Sequence, residues 1–335
     1  MSSKNVKELE PVKVVKINSD LISPSPKAFE DYGSNFKLSR FYYWYSYHET
    51  AESNPIFGIR VMTPNAFATS LSQVQLGELL TRQTVVPISE PIHQPSAAEY
   101  TRSAAVQDAW EMSGSNPDIL VRFTTDGVRV VEGERTDLIF TNLPFNRMLT
   151  PTGVFGEGCF HILQPCRITG TLDGKPVDMF GGWDKFFGTQ SLYTTAAPMG
   201  GSVFVGVCPD GKLEYCDFSC RGGDTTVVYC KEGEEPVYSD NVKTSFKWVK
   251  QPYTSEGTYV PAEFDLYFEG KELHFKAKWG CHGNTEQNMD VPGFAQCFGT
   301  FYMGKTPYKH KKGMAMMEFW AALKDNLVEY GYMNK

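Results

Sequence analysis

Apolar and polar residues alternate along most of the chain after residue 118, in short runs separated by turn sequences. ILVRFTT and VRVVEG flank Asp126-Gly127, SVFVGV and KLEYCDFSC flank Pro209-Asp210-Gly211, and EFDLYFE and KELHFKAKW flank Glu269-Gly270. A period of two between such turns predicts consecutive antiparallel hairpins, which build meanders, sandwiches or barrels. No long helical pattern alternates with these strands, so a Rossmann or triose-isomerase type of fold is disfavoured.

The longest predicted hairpin lies between Pro151 and Gln190. Asp173-Gly174 separates two strand-like runs there, and Asp-Gly suits a tight hairpin turn because both central positions favour positive φ. Gly181-Gly182 then interrupts the second run, which predicts a bulge or a close backbone approach. Such a break would aim the next three residues, Trp183, Asp184 and Lys185, out of the regular ladder and into the wall of a pocket.

An aromatic strand is predicted near the start of the fold, at Arg40 to Tyr47, and Ile56 to Thr63 is expected to pair with it. Because side chains alternate along a strand, both of its faces carry aromatic rings, as in a strand buried on both sides or lining a cavity. One face holds Phe41, Tyr43, Tyr45 and Tyr47, and the other holds Tyr42, Trp44 and Ser46.

Two segments have a helical pattern. Ser96 and Glu99 fit a capping box, which predicts a partly helical insertion near 70–112 with Tyr100, Ala104 and Trp110 on its inward side. Residues 313–330 show apolar positions at helical spacing, which predicts one amphipathic C-terminal helix that covers an end or flank of the β structure.

These patterns together predict a mainly β protein of two packed antiparallel units. We expect a polar N-terminal arm over 1–35, a first β unit over 36–190, a second β unit over 191–312, and the helix over 313–335. A hydrophobic content of 41%, with 14% aromatic residues, agrees with a folded, turn-rich β protein. The oligomeric state is left open by the sequence.

The net charge limits the expected partners, and the cysteines are considered together with the expected location. A net charge of −7 argues against nucleic acid and anionic membranes, which attract basic surfaces, and the one basic run, Lys305 to Lys312, is interpreted as a solvated loop. The sequence contains neither a secretory segment nor an apolar run that could span a bilayer, so a cytoplasmic location with reduced thiols is expected for the 8 cysteines.

Asp184 beside Trp183 is the first candidate for catalysis. A carboxyl group in an aromatic-walled pocket can act as a general acid, although an Asp at this position can equally cap the glycine turn. His161 is the second candidate, because a strand would place it on the same face as Glu157, where the pair could transfer a proton. The alternative for His161 is a buried ring that bonds to a backbone carbonyl.

Ligand contacts are expected mainly from aromatic side chains. Tyr47, His48 and Glu49 end the first aromatic strand, where they could orient a ligand oxygen or simply provide ordinary polarity at a strand end. The residues expected to bind substrate are Trp183, Tyr43, Tyr45, Tyr47, His48 and Phe160.

No cofactor or metal is expected from the motifs. Cys281, His282 and Glu286 do not reach the number or spacing of a zinc site, although a Cys-His catalytic pair stays open because its members need only meet in space. Phosphate-binding loops, dinucleotide fingerprints and the serine-hydrolase elbow are absent from the sequence.

The block QPCRITGTLDGKPVDMFGGWDKFFG resembles the strand-turn-strand block of the lipocalin-like superfamily of the carotenoid 1,2-hydratase and AttH type. The matching positions are Gly170, Gly174, Trp183, Asp184 and Gly188, while Lys185 and Phe186 stand where that family usually has a histidine. The resemblance implies two lipocalin-like β units, a hydrophobic ligand inside or between them, and hydration, cyclisation or isomerisation of isoprenoid or polyketide-like molecules.

Three functions are compatible with these observations. The first is cofactor-free conversion of a hydrophobic small molecule in an aromatic-lined pocket, as in secondary metabolism. The second is a non-catalytic carrier of a lipid or pigment, in which the same pocket only binds. The third is a carbohydrate-binding or glycan-cleaving β-sandwich, which would need exposed aromatic platforms and two carboxylates at glycosidase spacing.

Overall fold

The structure is a computed structural model that describes residues 16–22, 38–47, 56–63, 66–70, 74–75, 99–115, 118–134, 136–149, 159–172, 174–188, 198–222, 224–250, 257–280 and 295–334. For residues 38–75 it describes the backbone alone. Within these ranges nearly all regular structure is antiparallel β-sheet, and two short helices accompany it. The predicted fold class, mainly β with two antiparallel units and a C-terminal helix, is therefore confirmed.

The first sheet has eleven strands in the order β3-β2-β1-β12-β11-β9-β8-β7-β6-β5, with β10 paired to β11 beside this path. A pairing between β1 and β12 joins the beginning of the unit to its end. Its strands are β1 Leu38–Tyr47, β2 Ile56–Thr63, β3 Ala66–Ser70, β5 Glu99–Arg102, β6 Trp110–Ser115, β7 Asp118–Thr124, β8 Gly127–Glu132, β9 Thr136–Asn142, β10 Arg147–Leu149, β11 Cys159–Leu172 and β12 Lys175–Gly188.

The second sheet has ten strands in the order β16-β15-β14-β13-β21-β20-β19-β18-β17. β4, Val74–Gln75, comes from the first half of the chain and pairs with β19 beside this path. The other strands are β13 Met199–Val207, β14 Leu213–Arg221, β15 Asp224–Lys231, β16 Val237–Ser239, β17 Lys243–Lys250, β18 Tyr259–Phe268, β19 Lys271–Gly280, β20 Ala295–Met303 and β21 Lys312–Trp320.

Both sheets follow the same topological rule. In each, the first strand of the unit pairs with the last, β1 with β12 and β13 with β21, while the strands between them are mostly paired in chain order. Consecutive pairing places sequence neighbours side by side, so short turns suffice to connect them. The chain therefore consists of two meanders of like topology.

Each unit has its own apolar core, and a third apolar cluster lies between the units. The core of the first unit includes Val130, Phe140 and Trp183. The core of the second is rich in aromatic rings, with the Phe204 centroid 5.2 to 5.9 Å from three neighbouring phenylalanines. We call the third cluster the inter-unit layer; it is formed by Phe145, Leu163 and Phe180 of the first unit and by Val203, Val205, Tyr215, Val228, Cys230, Met314 and Met316 of the second.

The turn chemistry predicted most of the hairpins correctly. Asp126-Gly127 joins β7 to β8, Pro209-Asp210-Gly211 joins β13 to β14, and Glu269-Gly270 joins β18 to β19. β11 and β12 pair from Leu172↔Lys175 onward, and Gly174 between them has a φ of +79°, which glycine adopts without steric cost. The predicted pairing of β1 with β2 is also confirmed.

The helix predicted after the capping box is wrong over residues 99–112. β5 and β6 form a hairpin there, and Ser96 lies outside the described residues. The hydroxyl of Ser103 accepts the backbone N–H groups of Ala105 and Val106 at 3.2 and 3.1 Å, which stabilises the turn. Because β6 also pairs with β7, sheet pairing outweighs the local helical pattern.

The C-terminal helix is shorter than its apolar spacing predicted. Residues 312–320 form β21, and helix α2 is confined to Lys324–Glu329, where it covers an end of the second core through Leu327. Met314 and Met316 of β21 face the inter-unit layer, whereas Met317 and Phe319 face the second core. A strand buried on both faces is apolar throughout, so its sequence cannot be told from a buried helix by periodicity.

Part of the predicted N-terminal arm packs on the first unit. Helix α1, Ser19–Ile22, carries Leu21 and Ile22, which with Ile17 belong to the first core. The backbone N–H of Leu21 also donates to Oδ1 of Asn18 at 3.1 Å. Among the described helices, none has the length and apolar character needed to cross a bilayer.

Candidate functional site

Strand β12 carries the residues that the sequence singled out, and it is regular. Its register with β11 and β1 runs unbroken through Gly181 and Gly182, so the predicted bulge is wrong. Period-two alternation therefore places Trp183 and Lys185 on one face of the sheet and Asp184 on the other. The three residues do not point into a common pocket.

The indole of Trp183 fills the first core. It is 1% exposed, and its Nε1–H donates to Oδ1 of Asn142 at 2.9 Å. The hydrogen bond satisfies the polar edge of a ring that is buried in the first core. Its role as a substrate contact stays a prediction, whereas its role in core packing is visible.

The burial of Lys185 on β12 was not predicted from the sequence. Its side chain is 2% exposed, and burial holds the pKa of its ammonium group well below the ordinary value of 10.5. Ile162, directly opposite on β11, lies in the first core, so Lys185 shares that apolar side of the sheet. The sequence singled out Lys185 beside Trp183 and Asp184, and as a departure from the residues usual in the AttH type, but it did not show that Lys185 is buried, because burial is set by strand pairing.

Replacing Lys185 by Met should stabilise the protein at neutral pH, because the substitution removes a buried amine whose charged form is disfavoured by burial. With a folded pKa below the unfolded one, the unfolded chain binds more protons, so wild-type stability should rise from neutral pH towards pH 10. Denaturant unfolding at several pH values should show this rise in the wild type and its loss in Lys185→Met. Lys305→Met, at an exposed position, serves as the control; equal pH slopes in all three proteins would contradict the prediction.

Asp184 faces the inter-unit layer. Leu163, which pairs with Asp184 across the sheet, belongs to that cluster, and so does Phe180, four residues before Asp184 on β12. Asp184 itself is half-buried. A salt bridge of 2.7 Å between Lys312 Nζ and Asp178 Oδ2 joins β21 to β12 at the edge of the layer. Asp184 is thus a carboxyl group from the first unit beside a surface supplied by the second.

The second unit supplies a buried phenol and carboxyl group to the same layer. Tyr215 and Asp217 lie two residues apart on β14, both are 0% exposed, and the phenol donates to Oδ2 of Asp217 at 3.0 Å. Phe145 of the first unit stacks on Tyr215 with ring centroids 5.6 Å apart. A paired acid and phenol in apolar surroundings can hold and deliver a proton.

Beyond Asp217, the side chains that face the inter-unit layer are smaller and more polar. Gly201, Ser219 and Thr226 are neighbours in register and continue the face of Val203, Asp217 and Val228. The hydroxyl of Thr226 is buried, and it has no hydrogen-bond partner among the residues that the structure describes. Buried hydroxyls generally have partners, so this end of the layer can accept a polar group of a ligand.

A second polar cluster is centred on Glu214 and closes one end of the second core. Oε1 of Glu214 accepts the phenol of Tyr229 at 2.9 Å, and Oε2 accepts the phenol of Tyr308. Nε2 of His310 lies 2.9 Å from the same Oε2, and Sγ of Cys208 lies 3.4 Å from it. Glu214 is 2% exposed, so the carboxylate depends on these partners.

The elements around this cluster hold its geometry. Glu214 is the second residue of β14, Cys208 directly follows β13, and the loop 304–311 between β20 and β21 brings Tyr308 and His310 over them. The His310 ring stacks on Phe301 with centroids 4.1 Å apart. It also lies against Gly206, where a Cβ would come within 2.4 Å of its Cδ2, so glycine allows the approach.

Burial and hydrogen bonds together determine which groups of the Glu214 cluster are ionised near neutral pH. Burial alone would raise the pKa of Glu214, but the bonds from His310, Tyr308 and Tyr229 outweigh it and lower the pKa. Burial and the charge of Glu214 raise the pKa of Cys208 to about 11. They also raise the pKa values of both phenols. Near neutral pH, Glu214 is therefore ionised while Cys208 and the two tyrosines are protonated.

The sequence missed this cluster because two of its members lie in the run interpreted as a solvated basic loop. Lys309 and Lys311 are exposed as expected, but Tyr308 and His310 alternate with them and turn inward. That alternation was the available signal. The distance in sequence between Glu214 and His310 left no local pattern to join them.

For each of the remaining predicted site residues, the structure describes either the backbone alone or nothing. Tyr43 pairs with Trp183 and Tyr45 with Gly181 across β1 and β12, and Tyr47 pairs with Ile56 of β2. Phe160 and His161 lie in β11, opposite Phe187 and Phe186. Residues outside the described ranges are Glu157, His48, Glu49, Cys281, His282 and Glu286.

Comparison with known structures identifies the fold as lipocalin-like. Neither a family model nor a curated protein sequence matches the chain. A crystal structure of a Nitrosomonas europaea protein provisionally described as AttH has a TM-score of 0.50 and 13% identity, covering 88% of this chain and 96% of that one. The resemblance to AttH-type lipocalin-like proteins is thus confirmed at the level of fold.

Two further structures are similar over most of their length. CghA, crystallised with Sch210972, has a TM-score of 0.45 and 12% identity over 92% of this chain and 94% of its own. Kievitone hydratase from Nectria haematococca has a TM-score of 0.39 and 14% identity over 85% of this chain and 90% of its own.

Proposed function

We propose that this protein binds a hydrophobic small molecule of isoprenoid or polyketide type in the inter-unit layer and converts it by proton transfer, without a cofactor. The observation that carries this proposal is the Tyr215–Asp217 pair, buried at 0% exposure in a layer that both units line mainly with apolar side chains. Asp184 contributes a second carboxyl group from the opposite unit. Isomerisation, cyclisation and hydration each need a positioned acid of this kind.

The surroundings of the pair suit a ligand with one polar group. Valine and methionine side chains beside Asp217 would contact a hydrocarbon body, while the hydroxyl of Thr226 would bind an oxygen. The second core is less suited to a ligand because its own aromatic side chains fill it. The predicted contacts from Tyr43, Tyr45, Tyr47, His48 and Phe160, and the predicted proton transfer by His161 and Glu157, concern the first unit and stay predictions that are separate from the proposed site in the inter-unit layer.

The first test is the identity of the bound molecule. Native mass spectrometry of the protein from its own host should show a retained apolar compound, and incubation with related compounds should show their conversion. Recovery of a retained compound that is never converted would favour a carrier. An absence of any apolar compound, together with no binding of an apolar fluorescent probe, would contradict the proposal.

Gly201→Leu should abolish ligand retention while leaving the fold intact. A Cβ at Gly201 would lie 3.5 Å from the carbonyl oxygen of Phe218 and 3.8 Å from Ser219 Oγ, which are ordinary contacts, so a leucine can project into the layer. We expect the free energy of unfolding to change by no more than about 1 kcal/mol. Retention is measured by native mass spectrometry and stability by urea unfolding.

The adjacent Gly200 provides the matched control. A Cβ there would lie 2.3 Å from Phe319 Cδ2 and 2.9 Å from the carbonyl oxygen of Glu318, so Gly200→Ala should destabilise the second core by about 1 to 3 kcal/mol. Ligand retention by folded Gly200→Ala should persist. Undiminished retention by Gly201→Leu would place the ligand elsewhere.

A further inference from the structure

We propose that Sγ of Cys208, Oε2 of Glu214 and Nε2 of His310 form a zinc site at the end of the second unit. The three ligand atoms lie within 4.8 Å of one another, on β14, at the end of β13 and in the loop 304–311. This site is separate from the inter-unit layer and does not depend on the function proposed for that layer.

The distances suit a tetrahedral ion. Zinc bonds of about 2.0 to 2.3 Å place neighbouring ligand atoms roughly 3.3 to 3.8 Å apart. Here Oε2 of Glu214 lies 3.4 Å from Sγ of Cys208 and 2.9 Å from Nε2 of His310, and all three atoms lie within 4.8 Å of one another, so shifts of about 1 Å would bring them to tetrahedral spacing. The phenol oxygen of Tyr308 lies 3.9 Å from Sγ and stands beside the fourth position.

The ligand types favour zinc over harder cations. Magnesium and calcium prefer sets of oxygen ligands, whereas a thiolate with an imidazole and one carboxylate is characteristic of zinc. One thiolate and one carboxylate balance the two positive charges of the ion, which lowers the cost of burying it. On binding, the thiol gives its proton to solvent and His310 binds as neutral imidazole.

Neighbouring groups already hold the ligands in place. The phenol of Tyr229 bonds to Oε1 of Glu214, the carboxylate oxygen that the metal would not use. Phe301 fixes the plane of the His310 ring by stacking. The nearby ammonium group of Lys231 is paired with Asp210 at 3.4 Å. Such outer contacts orient metal ligands and strengthen binding.

A metal at this position would tie distant parts of the chain together. Cys208 and Glu214 lie in the first hairpin of the second unit, and His310 lies just before its last strand. Because these segments are far apart in sequence, the unfolded chain holds no preformed site, so binding of the ion would stabilise the folded state and resist opening of the loop 304–311.

Cobalt substitution tests the site directly. The full-length protein, freed of metal by a chelator, should bind one Co²⁺ per chain and show both a near-ultraviolet thiolate-to-metal charge-transfer band and intense visible bands of tetrahedral cobalt. Zn²⁺ should displace the Co²⁺, raise the melting temperature, and bind about tenfold more tightly for each pH unit because one proton is released. Absence of a charge-transfer band at saturating Co²⁺ would overturn the proposal.

Variants separate this site from adventitious binding. Cys208→Ser should lose the charge-transfer band and lower zinc affinity at least about tenfold, with a smaller loss in His310→Gln. Cys230→Ser in the inter-unit layer and the double variant Cys159→Ser with Cys281→Ser should keep the band. Circular dichroism verifies folding of each variant, and a band that survives in folded Cys208→Ser would refute the assignment.

Discussion

Replacing Asp217 by Asn is expected to lower turnover of the hydrophobic substrate by about 10² to 10⁴-fold, while the compound still binds. Asn preserves the size of the side chain and its ability to accept the phenol hydrogen of Tyr215, but it cannot donate or take up the proton. The loss should therefore appear in kcat with little change in KM. The measurement is the initial rate of conversion of the compound recovered from the native protein.

Two companion variants locate the acid. Tyr215→Phe retains the carboxyl group and removes its phenol partner, so it should cost less than Asp217→Asn. Asp184→Asn tests the carboxyl group on the first unit, and a greater loss in that variant would move the proton donor to β12. Asp265, which bonds to His274 on a partly exposed face of the second unit, provides the control, since Asp265→Asn should leave the rate unchanged. Full activity in both Asp217→Asn and Asp184→Asn would exclude acid catalysis from this layer.

Replacing Glu214 by Leu is expected to destabilise the protein by about 3 to 5 kcal/mol. The substitution removes the acceptor of the Tyr229 and Tyr308 phenols and the partner of His310, and the core around them offers water little access. A buried donor that loses its acceptor bonds neither to protein nor to water, which costs free energy in the folded state. Denaturant unfolding in the presence of a chelator measures the effect without any contribution from bound metal.

The pH dependence of the free energy of unfolding measures independently how much the Glu214 carboxylate stabilises the protein. Because the folded pKa of Glu214 lies below its usual value of 4.5, its stabilisation is present above pH 4.5 and is lost as the pH falls through the lower folded pKa. Glu214→Gln should flatten the fall in stability over this acidic range. Glu263→Leu, a surface glutamate paired with lysines, should change stability by less than about 0.5 kcal/mol. Equal effects at Glu214 and Glu263 would contradict the role of the network.

The elements predicted correctly from sequence are those whose signals are local. Asp126-Gly127, Asp173-Gly174 and Glu269-Gly270 mark turns because few residues tolerate such backbone conformations, and period-two alternation identifies strands with one buried face. The two wrong helical predictions share one cause. Residues 99–102 and 312–320 become strands because neighbouring strands offer them hydrogen bonds and apolar contacts, which local propensity does not include.

The candidate site was predictable only in part. The sequence drew attention to Trp183, Asp184 and Lys185, but regular pairing of β12 sends Asp184 to the inter-unit layer and the other two to the opposite face. Tyr215 and Asp217 resemble an ordinary alternating strand until the first unit covers them. His310 looked like part of a basic loop because its partner Glu214 is remote in sequence.

By itself the sequence determined the β class, the positions of most turns and the resemblance to AttH-type lipocalin-like proteins. Local steric rules and alternation are sufficient for that, because each acts over a few neighbouring residues. Only the tertiary structure decided which residues face each other: the buried Tyr215–Asp217 pair between the units, the buried amine of Lys185 and the Cys208–Glu214–His310 cluster. Burial and charge pairing depend on strand register and on contacts between distant segments, so these chemical properties become visible only once the sheets are paired and packed.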